Sequence, residues 1–139
     1  MKLYSLLILL FISSSLTAQV FTIELNITNI SHPKGKLYVT IYSAANLFLD
    51  EKDYYRTYTM DVKNSVEKLK LENLPKGNYA ISLFHDANLD GKCNLNFIGI
   101  PTEGYGFSRN FKPTFRAPKF SDCKITLTSN YTDTINLIN

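Results

Sequence analysis

Leu74-Pro75-Lys76-Gly77-Asn78-Tyr79-Ala80-Ile81-Ser82-Leu83-Phe84 is the stretch on which the fold turns. Its first half is turn chemistry, because proline presets φ and glycine supplies a permissive backbone. Its second half alternates, with Tyr79, Ile81 and Leu83 on one face. A period of two belongs to a strand with one buried side, and Tyr79 is placed to pack as the chain enters the core.

Working outward, the same pattern recurs on both sides. Val20 to Ile27 alternates apolar and polar, Ser31 to Gly35 turns, and Lys36 to Tyr42 forms a second strand. Arg56 to Val62 and Val66 to Leu71 read as two more, and Lys124 to Thr128 and Thr134 to Ile138 close the series. Ala44 to about Tyr54 suits either a short helix or a surface loop. About seven short strands divided by turns, with no strong helical period, predict an all-β fold: a single antiparallel β-sandwich with one long ordered loop.

The chain has 139 residues, a one-domain length. Met1-Lys2 is followed by the apolar run Leu6 to Ile12 and by Ser13-Ser14-Ser15-Leu16-Thr17-Ala18. That order of charge, apolar run and small residue predicts a cleavable signal peptide over residues 1–18 and one domain over 19–139. The run is shorter than the roughly 20 residues of a spanning helix, so the expected protein is exported, periplasmic or secreted, with no membrane span. After cleavage fourteen basic residues face twelve acidic ones, about +2. That balance does not call for a polyanion, and no nucleic acid is expected.

Cys93 and Cys123 are the only cysteines. In an oxidising compartment an even count favours one disulfide, worth roughly 3–4 kcal/mol on a chain-entropy argument; two separate thiols are the plainer alternative. Neither a Cys-x-x-Cys spacing nor a Cys/His cluster supports zinc.

The chemistry concentrates directly after the fifth strand, in His85-Asp86-Ala87-Asn88-Leu89-Asp90-Gly91-Lys92-Cys93-Asn94. Asp86, Asn88 and Asp90 followed by Gly91 match the first half of a calcium loop, in which alternate residues of a tight turn present oxygens to a hard cation. Lys92 would add its carbonyl, Asn94 a side chain or bridging water, and Glu103 a carboxylate folded back from further along. The match then breaks: the position of the bidentate glutamate is Phe97, and a strand precedes the loop where an EF-hand has a helix. Bound Ca2+, if present, belongs to the weak extracellular class of roughly 0.1–1 mM. The bland alternative is a set of Asp and Asn side chains capping their own backbone amides.

Two resemblances follow from these residues. The Leu-Pro-Lys-Gly-Asn-Tyr entry resembles the corresponding turn of transthyretin-like and carboxypeptidase-regulatory-type sandwiches, a likeness of fold alone. His85-Asp86-Ala87-Asn88, Asp90-Gly91-Lys92 and Asn96-Phe97-Ile98-Gly99-Ile100-Pro101-Thr102-Glu103-Gly104-Tyr105-Gly106-Phe107-Ser108 closely resemble the signature of a bacterial secreted family, domain of unknown function 2141. Leu74-Pro75-x-Gly77-x-Tyr79-Ala80 and Ala117-Pro118-x-Phe120-x-Asp122 look like its flanking pieces. The chain departs from the family in Cys93, where Asp is usual, and in Cys123, where a small residue is usual. The first departure weakens the calcium reading, and the pair strengthens the disulfide. The resemblance implies export and fold but no activity. It also argues against use of the sequons at Asn26, Asn29 and Asn130, which matter only in eukaryotic secretion.

Other candidates carry less. Gly99, Gly104 and Gly106 with Pro101 predict a close-packed turn, plugged by Tyr105 and Phe107 or presenting them as an exposed platform. Asp86 and Glu103 are a carboxylate pair for a hydrolase acting on an extracellular glycan or peptide, the alternative to a non-enzymatic module. Ser108 lies outside any nucleophile elbow, and His85 suits a hydrogen-bonded anchor. From Phe107 to Phe120, four phenylalanines interleave with Arg109, Lys112, Arg116 and Lys119. Aromatics turned in with cations turned out is the leading expectation, and an anionic glycan or lipid headgroup the rival. The sequence therefore predicts a binding module whose His85–Ser108 loop takes calcium, a ligand, or an extracellular protein or glycan partner.

Overall fold

A computed structural model describes residues 18–139; the expected signal peptide, residues 1–18, lies outside the described residues except for Ala18. β1 (Val20–Thr28) buries Phe21, Ile23, Leu25 and Ile27 and leaves the residues between them half-exposed. β2 (Lys36–Tyr42) does the same with Leu37, Val39 and Ile41. β3 (Arg56–Asp61) and β4 (Glu67–Pro75) follow, and the undecided segment before β3 is a surface loop with one 3-10 turn at Ala45–Leu47. β5 (Gly77–Asp86) turns Tyr79, Ile81, Leu83 and His85 inward. The Tyr79 hydroxyl donates to the Pro75 carbonyl at 2.8 Å, which pins the turn between β4 and β5. β6 (Tyr105–Phe107), the short helix α1 (Phe120–Cys123), β7 (Ile125–Leu127) and β8 (Tyr131–Asn136) complete the chain.

The eight strands form two sheets. One has the order β4-β1-β8; the other runs β3-β2-β5-β6, with β7 also paired to β5. They pack face to face through one cluster drawn from both, including Ile23, Leu25, Leu71 and Ile135 on one side and Leu37, Ile41, Ile81 and Leu83 on the other. The fold is all-β, as the alternation predicts. One pairing differs from the antiparallel expectation: β1 and β8 run parallel, from Ile23 beside Tyr131 to Thr28 beside Asn136. These are the first and last strands. β8 arrives after crossing from β7 in the other sheet, so no hairpin fixes its direction.

β6 and β7 share one border of β5. β7 pairs with Gly77–Tyr79 and β6 with Ser82–Phe84, so neither covers Ala80 and Ile81. The buried Ser108 hydroxyl fills that gap. Its oxygen accepts the Ile81 N–H at 2.9 Å and its proton goes to the Cys123 carbonyl at 2.6 Å. A second apolar cluster covers this part of the sheet's outer face: Tyr42, Ala80, Phe107, Phe120 and Cys123, with Phe48, Tyr105 and Phe111 against them. Close to it, Gly106 lies so near β8 that a Cβ there would sit 2.5 Å from the Ile135 Cγ2.

Candidate functional site

The long loop leaves β5 at His85 and returns at β6. Its base is clamped: the His85 N–H donates to the Gly104 carbonyl at 2.7 Å, and the His85 Nε2 meets the Lys34 carbonyl at 2.7 Å. Such a contact needs the ring N–H, which fixes the tautomer. His85 is thus the hydrogen-bonded anchor that its place at a strand end suggests. Gly35 (φ 79°) lies directly beneath, where a Cβ would meet the Asp86 carbonyl oxygen.

Asp86 is fully buried, and both its oxygens face back into the loop, taking the Asp90 N–H at 3.2 Å and the Gly91 N–H at 2.9 Å. Asn88 Oδ1 also accepts from the Asp90 N–H, at 2.9 Å. Asp90 Oδ1 accepts the Lys92 N–H at 2.9 Å, so Lys92 enters the network through its amide. Asp90 Oδ2 takes the Asn94 side-chain amide at 2.9 Å and that of Asn88 at 3.3 Å. These bonds, that of Asn94 first, hold the Asp90 carboxyl below its ordinary value. Glu103 does fold back: Oε1 accepts the Ala87 N–H at 3.1 Å, and Oε2 lies 3.5 Å from the Asn94 amide nitrogen. Asp86, Asn88, Asp90, Lys92, Asn94 and Glu103 therefore share one hydrogen-bond network. Among the described residues no three His, Cys, Asp or Glu side chains converge as a metal cluster. A cation here would draw on the asparagine and main-chain oxygens as well.

Beyond the network the chain makes a small hairpin. Leu95 pairs with Pro101, the Asn96 N–H donates to the Ile100 carbonyl, and the Thr102 N–H donates to the Asn94 carbonyl, both at 2.8 Å. Asn96 knots the tip: its Oδ1 accepts the Ile98 and Ile100 N–H groups at 3.0 Å each, and its carbonyl accepts the Gly99 N–H. The side chains around this knot point away from the protein. Phe97 is 99% exposed, Ile98 64%, Leu95 57% and Ile100 45%. Nothing in the sequence distinguishes these from core residues.

The remaining candidates fall out as follows. The expected Cys93–Cys123 bridge is not formed; both thiols are free. Cys123 is enclosed under the second apolar cluster beside the middle of β5, whereas Cys93 stands exposed in the loop past that strand's end. Burial pushes the Cys123 thiol up to about 12. Ser108 is a structural bridge and Phe107 a buried plug, with Tyr105 half-buried at the edge of the same cluster. In the basic–aromatic stretch Phe107 and Phe120 turn in and Phe111 is half-buried, but Phe115 is 99% exposed. Arg116 there clasps Asp122 with both guanidinium nitrogens, at 2.6 and 3.2 Å. Asp133, which no motif or spacing marks out, is buried on β8 and accepts the Arg109 N–H at 2.6 Å. It holds the left-handed turn at Arg109 and Asn110 against the strand.

Two shallow surface cavities, of about 290 and 270 Å³, are lined by Phe111, Thr114, Phe115 and Arg116, and by residues of β1, β4 and β8 with Asn130. Neither includes Asp86 or Glu103. No helix among the described residues is long and apolar enough to cross a membrane.

Fold and loop together define a small two-sheet β module that carries one long, internally braced loop. The chain belongs to the family of uncharacterised proteins conserved in bacteria known as DUF2141, whose model matches residues 25–135. No curated protein and no solved structure matches it.

Proposed function

We propose that the protein is an exported, non-enzymatic module that acts by binding, with His85–Ser108 as its contact element. The observation that carries this reading is the Asn96-knotted hairpin, an ordered support that holds Phe97 almost wholly in solvent with Leu95, Ile98 and Ile100 exposed around it. Apolar surface gathered on one rigid feature marks an interaction site more often than a fold requirement. The hydrolase alternative is less well supported, because both oxygens of Asp86 and one of Glu103 are engaged with loop amides. Stability tests the reading. Phe97→Ser should leave the unfolding free energy within about 0.5 kcal/mol of the parent, as for a surface side chain without contacts. A loss of several kcal/mol would mean that Phe97 serves the fold, and the reading would fail.

A second reading, weak calcium binding in the same loop, has one observation in its favour. Asp90 and Glu103, far apart in sequence, converge on a single Asn94 amide group. A cation at that point would be drawn to the same two carboxylates. Calcium at a hundredfold its Kd should add about 2.7 kcal/mol of stability, and a melting curve unchanged by tens of millimolar calcium would discard the idea.

A further inference from the structure

We propose that the tip of the Asn94–Thr102 hairpin enters a lipid surface and seats the molecule at a bilayer by its long loop; the inference rests on the binding role given to that loop above. Phe97 and Ile98 occupy the turn itself, flanked by Leu95 and Ile100, so the apolar groups project instead of lining a groove. From Cys93 to Thr102 there is no charged side chain. Of the seven N–H groups from Leu95 to Thr102, those of Leu95 and Phe97 are not bonded inside the hairpin, and those of Asn96, Ile98, Gly99, Ile100 and Thr102 are.

That last property favours lipid over protein. Hydrocarbon offers no partner to a bare amide, so the backbone of the tip stays at headgroup depth and only its side chains enter. A protein that captured this segment as a strand would use those same amides.

The charges behind the tip are of both signs: Asp86, Asp90 and Glu103 accept N–H groups of their own loop and keep their charge, and the exposed Asp61 lies beside Lys36 on the neighbouring strand. Lys34, Lys36 and Lys92 stand exposed at the same end of the molecule: the Lys34 carbonyl meets His85, Lys36 pairs with Asp86, and Lys92 lies in the loop. The long lysine side chains among these acids reach headgroup phosphates, while the apolar tip carries the insertion.

The chain has no tryptophan, so Phe97→Trp places a single fluorophore at the tip. With vesicles of phosphatidylglycerol and phosphatidylethanolamine its emission should move to the blue and be quenched by brominated acyl chains. In the parent protein, Phe97→Asp should weaken co-sedimentation with these vesicles by roughly tenfold or more. Lys34→Glu with Lys92→Glu should weaken it several-fold. An unmoved spectrum without co-sedimentation overturns the proposal. Hydrogen exchange of the same protein separates the two failures. Protected amides from Asn96 to Thr102 in a protein that ignores vesicles leave a contact element for another protein. Amides that exchange as in an unfolded peptide remove the braced hairpin, and both readings fall.

Discussion

At Ser108 one hydroxyl stands in for two residues of strand pairing, satisfying the Ile81 N–H and the Cys123 carbonyl in a place water does not reach. Ser108→Ala should cost about 1–3 kcal/mol, the range for stranding a buried hydrogen-bonding group, and a denaturant melt measures it. Parent-like stability would show that the gap closes without the hydroxyl. On the surface, Asp122 is held down at about 2, first by Arg116 and then by the Lys119 N–H. A carboxyl whose folded pKa is depressed contributes stability that is present above its unfolded value of about 4. That contribution is lost as pH falls from about 4 toward 2. Arg116→Gln should return the Asp122 titration toward the ordinary carboxylate range, as read by NMR of the side-chain carboxyl, and should flatten the acid limb of stability at low salt. An unchanged titration would assign the depression to the backbone contact alone.

Among the elements, β1, β2 and β5 were legible in the sequence because each alternates over seven or more residues and turns one apolar side to the core. β6 was not. It is three residues long with Gly106 at its centre, so period and propensity are both silent, and what makes it a strand is its seat against β5 and Ile135. The acidic turn was legible as a pattern. The return of Glu103 to Ala87 is not legible there, because it depends on where the strands hold the loop's two ends. The exposure of Phe97 was illegible, since hydrophobicity argues for the core until a structure places the residue outside it. The cysteines, expected as a pair from the compartment, the count and their shared departure from the family pattern, stand apart, Cys93 exposed and Cys123 buried. With a thiol-reactive chromophore at neutral pH, Cys93 should react in the folded protein and Cys123 only on unfolding. Two unreactive sulfurs in the unfolded, unreduced chain would restore the bridge.

For the molecule as a whole, two sheets around one cluster make a support on which a single long excursion, not the sandwich, varies in character from buried network to exposed tip. The parallel β1–β8 pair joins the first strand to the last, so the small sheet is complete only once the whole chain has folded. Such long-range pairing is slow to form compared with hairpins.

The shared border of β5 bears on self-assembly. Fibrils grow where a strand offers a long, straight row of unpaired amides to the next molecule. Here the row is divided between two short strands with a serine side chain between them, so an incoming chain finds no continuous template. The opposite border, β3, reads Arg-Thr-Tyr-Thr-Met-Asp and carries neither proline nor lysine to deter docking. Of this sheet's two borders, it is the one open to an incoming strand.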